Sequence, residues 1–172
     1  GKEIIRLRRE FIHSLQEKLS RIHKNISGGK EELELLYEEN VKEDDFMDIL
    51  LKARESEKKQ RISLVGPHRD DLIFRINGED IRKYGSQGQK RTAALSLKLA
   101  EIEEVKEEIK DYPVLLLDDV FSELDRKRQN YLLEEIKEVQ SMITCTGLED
   151  LVENRFPIDK LYFVENGRIT GK

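Results

Sequence analysis

Hydrophobic positions near the start of the chain follow a helical period. Ile5, Ile12, Leu15, Leu19, Ile22 and Ile26 recur at three-, four- and seven-residue spacings with Lys and Arg between them, and Gly28-Gly29 closes the pattern. Leu33, Leu36 and Tyr37 predict a second helical stretch, and Asp44 or Asp45 caps a third whose apolar face is Phe46, Ile49, Leu50 and Ala53. At Gln60-Arg61 the period changes to a strand-like one. Ile62-Ser63-Leu64-Val65 predicts a short strand stopped by Gly66-Pro67, and Leu72–Ile76 a second. Asn77-Gly78 is a two-residue hairpin signal leading into Glu79–Arg82. A polar, glycine-bearing stretch, Tyr84-Gly85-Ser86-Gln87-Gly88-Gln89, then opens a helix from about Lys90 to Ile109, with Ala93, Ala94, Leu97, Ala100 and Ile102 as packing positions. Pro113–Leu117 is a continuous apolar run ending in Asp118-Asp119, the pattern of a strand buried on both faces of a parallel sheet. A helix over Arg126–Val139, a buried strand over Ser141–Cys145 and a hairpin over Leu161–Thr170 turning at Asn166-Gly167 complete the reading. The expected fold is α/β. It has a helical lobe over 1–60, a hairpin, polar loop and long helix over 61–111, and a sheet-bearing part with a terminal hairpin over 112–172.

Composition narrows the classes. The 172 residues suffice for one sizeable core or two small lobes, and 39% charged against 37% apolar is charge-rich without being a disordered composition. No apolar run approaches the roughly 20 residues of a membrane span, so no membrane association is expected. Gly1-Lys2-Glu3 does not resemble a secretory signal, and a chain that opens on glycine reads as a piece of a longer protein. Cys145 is the single cysteine and has no disulfide partner, which fits a reducing, cytoplasmic setting. The net charge of −5 hides a split: residues 1–30 carry eight Lys/Arg against three Glu, and residues 31–60 five Lys/Arg against eleven Asp/Glu. The split permits a basic face, with Arg6, Arg8, Arg9, Lys18, Arg21 and Lys24 on the first helix and Lys90, Arg91 and Lys98 on the later one; it equally describes solvated helices. Aromatic residues are too sparse among them for stacking on single strands.

Two stretches can carry chemistry. Asp118 and Asp119 end an apolar strand, where an open α/β sheet binds ligands, and there one carboxylate can hold Mg²⁺ through water while the next orients an attacking water. Strands also end in Asp for turn reasons. Gly85–Gln89 opens a helix whose first N–H groups form an anion site, with Ser86 as an added donor; the same serine can equally be a plain N-cap. His68-Arg69-Asp70-Asp71 reads as an internal salt-bridged turn or as a nucleotide contact. His13, His23 and His68 show no metal-ligand spacing with Cys145 and read as surface or capping residues.

The order of these pieces resembles the ABC-type ATPase head. Ser86–Gln89 matches its signature loop, Leu115–Asp119 its Walker B strand and Ser122–Asp125 its D-loop. The longer strings Leu64–Leu72, Tyr84–Thr92 and Leu115–Asp119 resemble the RecF family more closely than other ABC-type heads, over residues 61 to 172. The resemblance implies an ATP site built on dimerisation. Ser86, Gln87, Gly88 and Gln89 would close the partner subunit's nucleotide, Asp118 would serve Mg²⁺, Asp119 would stand at the catalytic carboxylate, and Ser122 and Asp125 would lie at the dimer seam. It also implies duplex or gapped-junction DNA as ligand, RecR and RecO as partners, an ATP-dependent homodimer, and a role in recombinational repair and replication-fork maintenance. Two departures stand out. Asp119 is a methylene shorter than the usual glutamate, so hydrolysis should be slow, and Cys145-Thr146-Gly147 stands where such heads carry a switch histidine, leaving Thr146 as its counterpart. A phosphate-binding loop is missing, because Gly167–Lys172 has one intervening residue too few and no Ser/Thr after the lysine. The expectation is a C-terminal half, inactive alone. The alternatives are a head of the structural-maintenance-of-chromosomes type, against which the helical insert is too short for a coiled-coil arm, and a catalytically silent partner-binding module.

Overall fold

The computed structural model describes residues 1–146 and 157–171. They group into two units, Gly1–Pro113 and Val114–Lys172.

The first unit begins with α1 (Lys2–Ser27), whose six expected apolar positions are all buried together with His23. Gly28 closes the helix in the left-handed conformation (φ 68°), and the next amide, Gly29, donates to the Lys24 carbonyl at 2.7 Å. The stretch around Leu33 is a strand and not a helix. β1 (Leu33–Glu38) pairs antiparallel with β2 (Asp71–Ile76), Leu33 opposite Ile76 and Tyr37 opposite Leu72. Its buried residues, Leu33 and Leu35, alternate, whereas the helical reading joined Leu33 and Tyr37 to Leu36, which is exposed. Residues 1–60 therefore do not form an all-helical lobe; their middle belongs to the same sheet as β2. Asn77 and Gly78 turn the β2–β3 hairpin with φ of 51° and 85°, and β3 (Glu79–Asp80) completes the sheet order β1-β2-β3. The Asn77 side chain accepts from the Glu32 amide at 2.9 Å, which ties the hairpin tip to the start of β1.

α2 (Phe46–Gln60) starts after Asp45, whose side chain makes no capping bond. Phe46 is buried with Ile5, Val41 and Val65, and Leu50 and Ala53 pack partly against that cluster, while Ile49 is exposed. The expected strand over Ile62–Val65 is absent. Its backbone donors are taken by a side chain: the Glu57 carboxylate accepts from the amides of Leu64 (2.7 Å) and Val65 (3.3 Å). After the one-turn α3 (Ile81–Tyr84), α4 (Gln87–Ile109) packs on α1. Its buried face is Thr92, Ala93, Leu95, Ser96, Leu99 and Ala100; of the other expected packing positions Ala94 is exposed and Leu97 and Ile102 are half-buried. Two hydroxyl residues disguise that face. Thr92 donates back to the Gly88 carbonyl (2.7 Å) and Ser96 to the Thr92 carbonyl (2.8 Å), so both are buried without an unmet proton.

In the second unit β4 (Leu115–Asp118) and β5 (Ser141–Thr144) run parallel in the register Leu115–Ser141 to Asp118–Thr144, with α5 (Arg126–Glu135) between them in sequence. α5 ends earlier than the expected Val139. One face of the pair, with Leu117, is covered; the other leaves Leu116 70% and Met142 66% exposed. The apolar run thus forms the expected parallel strand but is not buried on both faces. β6 (Tyr162–Glu165) and β7 (Arg168–Gly171) form the expected terminal hairpin.

Candidate functional site

Ser86 sits at the N-cap of α4. Its hydroxyl accepts from the Gln89 amide at 3.2 Å, and the Gln89 side-chain oxygen accepts from the Ser86 amide at 2.9 Å, a complete capping box. Capping occupies only the acceptor side of the hydroxyl. Among the described residues no acceptor takes the Ser86 hydroxyl proton, which remains to be donated outward. The neighbouring glycines differ in kind. A Cβ on Gly85 would meet the Ile81 carbonyl oxygen at 2.6 Å, so glycine there is demanded by packing. At Gly88 a Cβ would meet nothing nearer than the Ser86 hydroxyl at 4.0 Å, and its φ is not positive. Nothing internal requires glycine at that position, which leaves open space over the first turn of α4. Gln87 occupies the first position of the helix and is exposed.

The acidic pair is organised by a residue that pattern reading passed over. Asp118 ends β4, and Thr144, opposite it on β5, donates its hydroxyl to Asp118 Oδ1 at 2.6 Å. The Asp119 amide donates to the same Thr144, to Oγ1 at 3.0 Å and to the carbonyl at 3.2 Å. Thr144 therefore fixes both carboxylate-bearing residues. The available signal was a threonine ending the apolar Ser141–Thr144 strand. Asp119 lies in the left-handed region (φ 50°), where Asp and Asn are the best tolerated of the non-glycine residues. Its carboxylate is exposed and has no hydrogen-bond or ion-pair partner among the described residues. Ser122 donates to the Asp119 carbonyl at 2.9 Å and closes the single 3₁₀ turn that follows. Asp125 caps α5, accepting from the Arg128 amide at 3.1 Å, and that bond together with the Arg128 charge lowers its pKa. No cluster of three His, Cys, Asp or Glu side chains forms a metal cage among the described residues. One exposed carboxylate with a free oxygen fits a cation held through its water shell, so Asp118 suits hydrated Mg²⁺.

The remaining candidates fall out as follows. Arg6 pairs with Glu3 and Glu10, Arg9 with Glu39 and Glu43, and Arg8 donates to the Pro67 carbonyl and lies 3.4 Å from Asp70. Lys18 bridges Glu104 (2.6 Å) and Glu107 (2.8 Å), and Arg21 pairs with Glu103. Lys90 donates to a neutral acceptor, the Arg82 carbonyl, at 3.2 Å, and Arg91 is exposed. In the His68–Asp71 turn Asp70 is buried as a hub that accepts from the Tyr37 hydroxyl and the Asn40 amide, and Asp71 is gripped by Arg82. Burial and that bond push the Tyr37 phenol up to about 12. These carboxylates serve structure. His13 and His68 are exposed as expected, but His23 is fully buried between Ser96 and Glu31, which corrects its reading as a surface residue. Thr146 is exposed just beyond β5; Gly147 and Lys172 lie outside the described residues. Among the described residues no helix is long and apolar enough to cross a membrane.

A parallel β4–β5 pair with an acidic carboxyl edge, together with a capped serine-glycine turn opening a long helix, defines the class: part of an ABC-type ATPase head. At the level of fold, a solved structure concerned with ATP-driven dimerization and DNA-stimulated activation of SMC ATPases matches the whole chain and 88% of its own length with a TM-score of 0.58 at 16% identity. Over nearly its whole length the chain is similar to about half of RecF proteins. It is 55% identical over 98% of its length to the DNA replication and repair protein RecF of Agathobacter rectalis and 56% identical to that of Lachnoclostridium phytofermentans, covering 47% of each. Solved structures of the recombination mediator protein RecF-ATP and RecF-ATPrS in the RecFOR pathway match with TM-scores of 0.84 and 0.82 at 37% and 38% identity, again over 47% of those chains. The chain thus spans about half the length of the curated relatives it matches. No protein-family model matches it.

Proposed function

We propose that this chain supplies the signature turn and Walker B edge of a RecF-like ATPase of recombinational repair and replication-fork maintenance, which closes as a homodimer on duplex or gapped DNA when ATP binds and works with RecR and RecO. The observation that carries this reading is the Ser86–Gly88 turn, with a hydroxyl proton free to donate outward and an uncrowded glycine beside it. Such a turn suits the γ-phosphate held by a second subunit, because N–H groups at a helix start and a serine donor both favour an anion. Bound Mg²⁺-ATP supplies the phosphoanhydride and its charge neutralisation. Asp118, oriented by Thr144, would hold the cation's water shell, and Asp119 would orient the attacking water, with slow turnover because its side chain is short. Ser122 and Asp125 lie at the dimer seam in this reading. For DNA, Lys90 at the start of α4, whose partner is a neutral carbonyl, is a better contact than Arg6, Arg8 and Arg9. Phosphate binding gains from counterion release, and the three α1 arginines already face Glu3, Glu10, Glu39, Glu43 and Asp70.

The test is a mixing experiment with the full-length protein. Ser86→Arg should leave nucleotide binding intact and abolish ATP-driven dimerisation. Mixed with a variant defective in its phosphate-binding loop, it should regain partial ATPase activity, since one intact composite site forms in the heterodimer. Heterodimers without recovered activity would show that Ser86 does not act across the interface.

A further inference from the structure

α4 begins on a chain of hydrogen bonds that leads away from the signature turn into the interior of the first unit. Gln89, whose side-chain oxygen closes the capping box on the Ser86 amide, donates its amide nitrogen to Glu31 Oε1 at 3.1 Å. The other carboxylate oxygen of Glu31, Oε2, lies 3.1 Å from Nε2 of the fully buried His23 on α1. Nδ1 of the same ring lies 3.1 Å from the Ser96 hydroxyl, and Ser96 donates its one proton to the Thr92 carbonyl. Thr92 in turn donates to the carbonyl of Gly88, inside the signature turn. The path begins and ends on residues 86–89.

Proton counting sets the direction of every bond. A carboxylate only accepts, so Glu31 forces the Gln89 amide to present its NH₂ group inward and its oxygen to the Ser86 amide. Without an acceptor held at this position the Gln89 amide is free to flip, which would aim NH₂ at an N–H and open the box. On the other side Ser96 has spent its proton, so it accepts from Nδ1–H of His23. The Glu31 carboxylate can only accept, so it is Nε2 of the ring that donates to it. Neither residue belongs to the signature motif, and neither has a role in the function proposed above.

We infer that Glu31 and His23 are positioning residues for the signature turn, fixing the Gln89 amide and through it the orientation of Ser86. The inference rests on the reading of Ser86–Gln89 as the signature acting across the dimer. It makes a distinctive demand on one conservative substitution. In Glu31→Gln the new carbonyl takes the Gln89 amide and the new NH₂ donates to Nε2 of a neutral ring, so every bond survives without charge. Glu31→Met removes both bonds, and Glu31→Asp withdraws the carboxylate from both partners while keeping its charge.

The experiment compares these variants in the full-length protein by nucleotide affinity of the monomer, ATP-dependent dimerisation and ATPase turnover, with Ser86→Arg as control. Monomer nucleotide affinity should be unchanged throughout. Glu31→Asp and Glu31→Met should weaken ATP-dependent dimerisation about tenfold, the scale of one lost hydrogen bond, with turnover falling in step. Glu31→Gln should stay within about twofold of the parent. If Glu31→Met does not fold, Glu31→Asp against Glu31→Gln carries the comparison. Should Glu31→Asp dimerise like the parent while Ser86→Arg does not, the positioning role is wrong and the signature reading stands. Should Ser86→Arg also dimerise normally, the signature reading itself fails. Loss in Glu31→Gln as large as that in Glu31→Asp would mean that the bond pattern alone does not hold the turn, and would overturn the inference.

Discussion

Gly88 is a glycine that its own fold does not require. It lies in the first turn of α4 with ordinary helical backbone, and the space where a side chain would go is empty. Glycine in a helix costs roughly 0.5–1 kcal/mol relative to alanine. Gly88→Ala in the full-length protein should therefore raise thermal stability slightly while impairing ATP-dependent dimerisation, as read by calorimetry and by sedimentation. A substitution that stabilised the protein and left dimerisation untouched would remove the case for close approach at this turn. Thr144 works in the opposite sense: it touches Asp118 and Asp119 directly and has an internal task, with its hydroxyl donating to one carboxylate and accepting the amide of the other residue.

Elements in the first unit are joined by side chains that replace missing backbone partners. Glu57 takes the amides of the segment expected to be a strand, and burial of Val65 follows from packing against Ile5, Val41 and Phe46 instead of from strand pairing. At the junction of β2 and α3, Arg82 grips both Asp71 oxygens at 2.8 and 2.9 Å and also donates to the Leu72 carbonyl. The Arg82 bond, first among the causes, holds the Asp71 carboxyl at about 2 against an ordinary 3.8. The folded-state pKa is depressed, so the stabilisation is present above about pH 4 and is lost as pH falls through the interval toward about 2. In Arg82→Met the Asp71 carboxyl should titrate near its ordinary value by NMR, and the contribution of this pair to the acid unfolding curve should vanish from that interval. A carboxyl that still titrates near 2 would assign the shift to the Leu72 amide.

At the scale of the molecule, the charge split along the sequence is resolved largely by folding. The basic α1 meets acidic residues of the 31–60 segment through Arg9 and acidic residues of α4 through Lys18 and Arg21. Pairs of this kind are weak where they are exposed, so their main consequence is to neutralise cations of α1. The 172-residue chain on its own contains no phosphate-binding loop and should give no micromolar Mg-ATP isotherm in calorimetric titration, because an exposed Asp118 cannot replace a cradle of backbone amides. A clear micromolar isotherm would contradict a composite site.

Local chemistry sufficed where each element carries its own instructions. The period of α1 with its Gly28 stop, the Asn-Gly hairpins, the Ser86 cap and the apolar strand ending in Asp118 could all be read from the residues alone, as could the order of motifs that places the chain among ABC-type heads. Tertiary pairing decided the rest. Leu33–Glu38 is a strand because β2 lies beside it, Ile62–Val65 is not one because Glu57 takes its amides, and Thr92, Ser96 and His23 are buried because their protons close on one another across α1 and α4. A short apolar run or a polar residue carries no mark of its eventual partner, and the free energy of burying it depends on that partner alone.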